Sequence, residues 1–189
     1  ILTGKVSAAQ VLGFQESGAT ATIKHFCANN QETSRRFVDS IVSERALREI
    51  YLKGFEIAIK EGKARSVMTS YNPINGIWTE GNYDLCTTIL RKEWEFDGIV
   101  MTDWWAEANT EGEKSKRENK APMVIAQNDL YMCVSNSLET PENDNVKEKF
   151  ELGEVTRSDL QRNAKNILKF ILKSQAMLHE LGLIKSEDL

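Results

Sequence analysis

The run Gly98-Ile99-Val100-Met101-Thr102-Asp103-Trp104-Trp105 constrains this chain most. Its first part is apolar or β-branched at successive rather than alternate positions, which fits a strand covered on both faces, as in a parallel sheet. Parallel strands are joined by crossovers, so such a strand calls for helices before and after it. The run ends in a carboxylate, and the carboxyl end of a parallel strand is where α/β folds gather their chemistry. The two indoles after Asp103 supply a flat apolar wall with a polar edge. The competing assignment for Asp103 is the cap of a following helix.

The rest of the chain supplies the alternation this strand demands. A helix is expected over Val6 to Phe14, stopped by Gly18, and a β-branched strand over Ala19 to Phe26, ending in Lys24 and His25. Ser43 and Glu44 open a helix whose buried face is predicted to carry Leu47, Ile50, Tyr51, Phe55, Ala58 and Ile59, with Gly62 as its end. Arg65 to Tyr71 is the next strand, followed by turns at Asn72-Pro73 and Asn75-Gly76. Asn82 then caps a helix carrying Leu85, Ile89, Leu90 and Trp94. Beyond Asp103, the charged segment Glu111 to Lys120 is expected to be a solvated loop. A short helix near Pro122 to Ala126, a short strand within Asn128 to Val134, a turn at Pro141 to Asn145 and a helix near Val146 to Leu152 follow. Thr156 and Asp159 form a capping-box pattern that starts a long helix, with Leu160, Ala164, Ile167, Leu168, Ile171 and Leu172 as the expected buried stripe.

The predicted fold class is therefore α/β, with parallel βα units joined by right-handed crossovers. A closed eight-stranded βα barrel needs about 200 residues or more. With 189 residues and three clear strands, this chain reads as roughly the second half of a (β/α)8 TIM-like barrel with a long C-terminal helix. One partial domain is expected over 1–189, with its core at about 19–172 and 173–189 as a tail. The opening Ile1-Leu2-Thr3-Gly4 has neither an initiating Met nor a signal-peptide pattern and is expected to lie inside a longer protein.

A formal net charge of −4 argues against nucleic acid and against an anionic membrane surface as partners, and no apolar run reaches the length of a membrane span. Cys27, Cys86 and Cys133 are widely spaced and form no CxxC pair, so neither a zinc site nor a disulfide framework is suggested, and free thiols favour a reducing compartment. No GxGxxG or Walker pattern is present, so no nucleotide cofactor is expected.

Three strands end in Lys24-His25, Tyr71 and Asp103, and their loops add Arg35, Asn75 and Trp104. This set is a polar cup rich in donors, with one prominent acid and an aromatic wall, which suits a polyhydroxylated ligand. Each member also has a plainer role. Lys24 is a surface charge, His25 and Tyr71 are core residues, Arg35 and Arg36 are solvated, and the Trp pair is packing. Their shared place at strand carboxyl ends favours the functional reading.

Five stretches, in order and at matching spacing, carry a resemblance: Lys24 to Glu32, Ser43 to Leu52, Ser66 to Gly76, Leu90 to Trp94 and Gly98 to Trp104. Together they resemble glycoside hydrolase family 3, which includes β-glucosidases and β-xylosidases, and the likeness runs to about Leu172. The resemblance implies retaining hydrolysis of a β-glucoside or oligosaccharide, with Asp103 as nucleophile. It implies that Lys24, His25, Arg35 and Tyr71 hold the sugar and that Met68 and Trp104 line its site. The family's acid/base Glu lies on a separate α/β sandwich domain, and its early barrel strands add an Asp and an Arg to the sugar site. Those parts are expected outside this chain. Glu32, Glu107 and Glu111 are the nearest acids here, and nothing favours any of them for the role.

Cys27-Ala28-Asn29-Asn30 stands where the N-acetylhexosaminidase branch has a Pro-Gly-His run, and the only other histidine is His179, so a glucosidase or xylosidase is implied. Ala126 to Met132 resembles a family stretch with Gln127 in place of Gly. Bacterial members whose sandwich domain precedes the barrel look similar there, which would put the acid/base upstream of Ile1 and the protein in a bacterial-type cytoplasm. The alternatives are a non-catalytic sugar-binding fragment or pseudoenzyme, and a Schiff-base lyase acting through Lys24.

Overall fold

The structure, a computed structural model, describes residues 1–132 and 143–184. Cys133, Val134 and the first two residues of the expected Pro141–Asn145 turn lie outside the described residues. Helix α1 (Leu2–Glu16) leads into strand β1 (Thr22–Phe26). Helix α2 (Glu44–Ala46) passes through a π-helical turn, Leu47–Tyr51, into α3 (Lys53–Lys60). Strand β2 (Ser66–Thr69) is followed by a hairpin of β3 (Pro73–Ile74) and β4 (Ile77–Trp78), a 3-10 turn Thr79–Gly81 and a π-type helix Asp84–Glu93. Strand β5 (Ile99–Trp104), helix α4 (Ala121–Ile125), strand β6 (Leu130–Met132) and helices α5 (Val146–Glu151), α6 (Arg157–Leu172) and α7 (Gln175–Glu180) complete the order.

The sheet runs β1-β2-β5-β6, every pair parallel, with Val67 opposite Ile23 on one side and Val100 on the other. Neighbours in sequence order are neighbours in space, as successive βα units of a barrel require. The helices cover an apolar face of the sheet: Phe26, Val67, Val100, Leu52 and Leu90 are all buried in one cluster. Each such side chain contributes about 1.5–3 kcal/mol of burial. Phe26 meets Phe55 and Trp94 edge-on, with ring centroids 5.1 and 6.0 Å away.

Local signals set the element ends. The Ser43 hydroxyl accepts the Ala46 N–H at 3.3 Å, and Asn82 Oδ1 accepts the Leu85 N–H at 2.9 Å. The Thr156–Asp159 capping box closes in both directions, at 3.2 and 2.9 Å. Asn75 and Gly76 have φ of 51° and 86°, the pair of positive values that a two-residue hairpin turn of the mirror-image type needs.

Several expectations are corrected. Ile50 is 68% exposed, whereas Leu52 is buried. The Leu52 N–H bonds the Leu47 carbonyl at 2.8 Å, five residues back, and that wide turn rotates the helix face away from a 3.6-residue period. On α6, Ala164 is exposed and Leu168 and Leu172 are 59% and 52% exposed; Leu160 does pack on the core, and beside it the inner face carries the buried Asn163. Asn163 and Arg162 donate to the carbonyls of Val124, Asn128 and Ile125, so this helix docks through backbone acceptors as much as through apolar area. Lys120, placed by its charged neighbours in a solvated loop, is 1% exposed.

Candidate active site

Strand β5 delivers Asp103 to the carboxyl end of the sheet, where it is 7% exposed. The helix-cap assignment is excluded, because the next helix begins at Ala121 and is preceded by Lys120. The Asp103 carboxylate is held at both oxygens. The Trp104 N–H donates to Oδ1 at 2.8 Å, and His25 Nε2 lies 3.2 Å from Oδ2. Burial holds the His25 imidazole below its ordinary value of 6.5, with Lys24 and Arg35 adding to the effect and the Asp103 charge opposing it. At neutral pH the ring is therefore neutral, with Nε2 beside the carboxylate. The Lys24–His25 and Phe26–Cys27 peptide bonds on this strand are cis.

Tyr71 follows β2. Its hydroxyl donates to the Trp104 carbonyl at 2.7 Å. Burial raises the phenol's pKa, as does the nearby Asp103 charge, against the opposing pull of Arg36 and Arg35. The hydroxyl thus stays protonated, with its proton on the Trp104 carbonyl and its oxygen lone pairs left to accept. The guanidinium carbons of Arg35 and Arg36 stand 4.8 and 4.7 Å from the centroid of the same Tyr71 ring. Arg35 is also paired with Glu32 at 2.8 Å. Met68 is buried on β2, and Trp104 is 39% exposed at the rim of the cup.

Lys24 is exposed on β1, beside an open cleft of about 870 Å³ between α1 and β1. Asn75 is not part of the cup: its amide bonds both the N–H and the carbonyl of Val42, each at 2.9 Å, and pins that segment to the hairpin. Of the nearest acids, Glu32 serves Arg35 and Asn29, and Glu107 accepts the Ser115 hydroxyl. Among the described residues no group of three or more His, Cys, Asp or Glu side chains could hold a metal ion.

Sequence reasoning missed the framework under the cup. Lys120 Nζ donates to Glu80 Oε1 at 3.1 Å and to the Ala106 carbonyl at 2.7 Å, fixing the loop just past Asp103. Asn128 Nδ2 donates to Thr69 Oγ1 at 3.2 Å and the Glu80 carbonyl at 3.3 Å, joining the end of β2 to that turn. Asp129 accepts from Arg91, from the Val100 N–H at 3.0 Å and from Asn166 at 2.8 Å. The Asn128-Asp129 pair lies within a stretch already singled out for its family likeness; Lys120 had no signal, since a lysine in a charge run normally stays in solvent.

A parallel sheet presenting this cup at its carboxyl ends is part of a βα barrel, with polar groups at the face where such barrels carry their sites. Residues 2–170 match the glycosyl hydrolase family 3 N terminal domain, and the chain belongs to that family. It is 55% identical over 181 residues to a β-glucosidase of Ruminococcus albus, covering 96% of this chain and 19% of that protein. Among solved structures, a β-glucosidase from Paenibacillus barengoltzii superposes with a TM-score of 0.90 at 54% identity, over 93% of this chain and 20% of the other. β-Glucosidase 3B from Thermotoga neapolitana, solved in complex with glucose, gives 0.79 at 40% identity, over 93% of this chain and 24% of that one. The chain thus spans about a fifth of the length of these relatives. Among the described residues no helix is long and apolar enough to cross a membrane.

Proposed function

We propose that this chain carries the nucleophile and part of the sugar site of a retaining β-glucosidase. Asp103 carries the reading: a single carboxylate at a strand end, oriented at both oxygens and facing a cup of hydroxyl-binding groups. Asp103 attacks the anomeric carbon and forms a glycosyl-enzyme, while Lys24, His25, Arg35 and Tyr71 bond the sugar hydroxyls. Met68 and Trp104 give the sugar's C–H face an apolar wall. His25 and the Trp104 N–H keep the carboxylate aimed, so little reorganisation is needed when charge moves onto the sugar.

A retaining enzyme sets its second carboxyl about 5 Å from the first. The acids near this cup in sequence are engaged elsewhere or exposed, so the acid/base Glu comes from another part of the intact protein. The substrate is a terminal β-glucosyl or xylosyl unit. Buried, free Cys27 and Cys86 support a cytoplasmic location.

The test is intact mass after incubation with an activated 2-fluoro-glucoside, whose good leaving group removes the need for the acid catalyst. One sugar adduct on Asp103 of the intact protein is expected. An adduct on another residue would displace Asp103, and no adduct with retained sugar binding would leave a non-catalytic sugar-binding protein.

A further inference from the structure

Arg35 and Arg36 are adjacent, and the function proposed above uses only Arg35. The two guanidinium groups stand almost equally close to one ring, but their surroundings differ. Arg35 is neutralised by Glu32 at 2.8 Å, whereas among the described residues no carboxylate lies within ion-pair distance of Arg36. Arg36 is anchored through its backbone: its carbonyl accepts the Trp78 Nε1–H at 3.0 Å, and the Trp78 N–H in turn donates to Asn109 Oδ1 at 3.0 Å. Trp78 sits on β4, in the hairpin that follows Tyr71 directly. The segment carrying Arg36 is therefore fixed relative to the strand end that carries Tyr71.

The Tyr71 ring has one fixed end, its backbone at the end of β2, and one demanding end, its hydroxyl on the Trp104 carbonyl at 2.7 Å. A planar guanidinium against the ring face restricts rotation between those ends, because the ring's electron-rich face attracts the cation and its flatness matches the ring. We propose that Arg36 is a positioning residue, whose guanidinium 4.7 Å from the Tyr71 ring holds the phenol hydroxyl on the Trp104 carbonyl beside Asp103. In this role Arg36 contacts the Tyr71 ring and not the sugar. Its effect reaches the reacting atoms through Tyr71. This rests on the β-glucosidase reading only for its consequence on turnover; the effect on the ring stands apart from it.

Steady-state kinetics of the intact protein on an aryl β-glucoside, with Arg36→Met and Arg36→Lys, read the consequence. Met keeps the stem and removes the plane and charge; Lys restores the charge alone. Arg36→Met is expected to lower kcat about tenfold with KM changed less than about twofold, and Arg36→Lys to recover part of the loss. An unchanged kcat overturns the proposal. So does a rise in KM alone, which would put Arg36 on the substrate, or a drop in melting temperature as large as a core substitution causes, which would make its role structural. A crystal structure of Arg36→Met reads the ring directly: the Tyr71 hydroxyl is expected beyond hydrogen-bond distance of the Trp104 carbonyl, and an unmoved ring overturns the proposal. If the unaltered protein neither turns over nor takes up the 2-fluoro sugar, the glucosidase reading fails, and the crystal structure still decides the role of Arg36.

Discussion

At the carboxyl ends of β1 and β5, the side chains of His25 and Asp103 keep 29% and 10% of their surface exposed; behind β5 and β6, Arg91 and Asp129 keep 8% and none, and Lys120 and Glu80 keep 2% and 1%. Both regions set acids against basic side chains across different strands and loops. They differ in what remains unspent. In the buried region the charges are answered by each other and by carbonyl, amide and N–H groups, which is the condition under which charge can be taken out of water at all. In the exposed region Lys24 and the rims of Arg35 and Trp104 keep surface toward solvent, and that surface is what a sugar would meet. Similar residue types thus serve as frame where they are buried against one another and as chemistry where they keep surface.

The sharpest way to break this contrast is to exchange one residue of each kind. Asp103→Asn is expected to lower turnover of the intact protein by about a thousandfold or more while its melting temperature stays within a few degrees. Near-normal activity would remove Asp103 as the nucleophile. Lys120→Met is expected to do the reverse, destabilising by about 3–5 kcal/mol because the buried Glu80 carboxylate loses the ammonium that neutralises it. Urea unfolding reads that loss, and the double variant Lys120→Met/Glu80→Leu should regain most of it, since an apolar pair needs no counter-charge. A single variant as stable as the parent would mean that the pair is not a frame.

Acidification should separate the regions more gently. Burial lowers the pKa of His25 in the fold, so the unfolded chain binds its proton first. The stability His25 contributes is complete above its ordinary 6.5 and falls as the pH drops from there toward the folded value. Melting temperatures at pH 7.5 and 5 should fall more for the parent than for His25→Gln; equal falls would place His25 outside the linkage. The smallest effect belongs to Gln127, which holds φ at 65° where a glycine would be unstrained. Gln127→Gly is expected to stabilise by less than about 1 kcal/mol, the gain reduced by losing the contact of its side chain with Thr87 at 3.3 Å. A clear loss would show that this contact outweighs the backbone strain.

What the sequence determined by itself was whatever neighbouring residues decide among themselves. The apolar runs specified strands β1, β2 and β5. Ser43, Asn82 and the Thr156–Asp159 box specified helix starts, and Asn75-Gly76 specified the hairpin. These depend on side-chain period and on caps within one turn, so a local reading finds them. The strand ends that carry Lys24, His25, Tyr71 and Asp103 were legible for the same reason. The tertiary structure alone decided which of those groups touch: His25 with Asp103, Tyr71 with the Trp104 carbonyl, and both arginines on one ring. It also turned Ile50 outward through a wide helical turn, set Asn163 rather than Leu168 toward the sheet, and buried Lys120 out of a charged segment. Each of these depends on strand register and on partners distant in the chain, where a neutralised charge or a saturated carbonyl outweighs the hydrophobic pattern of any one element.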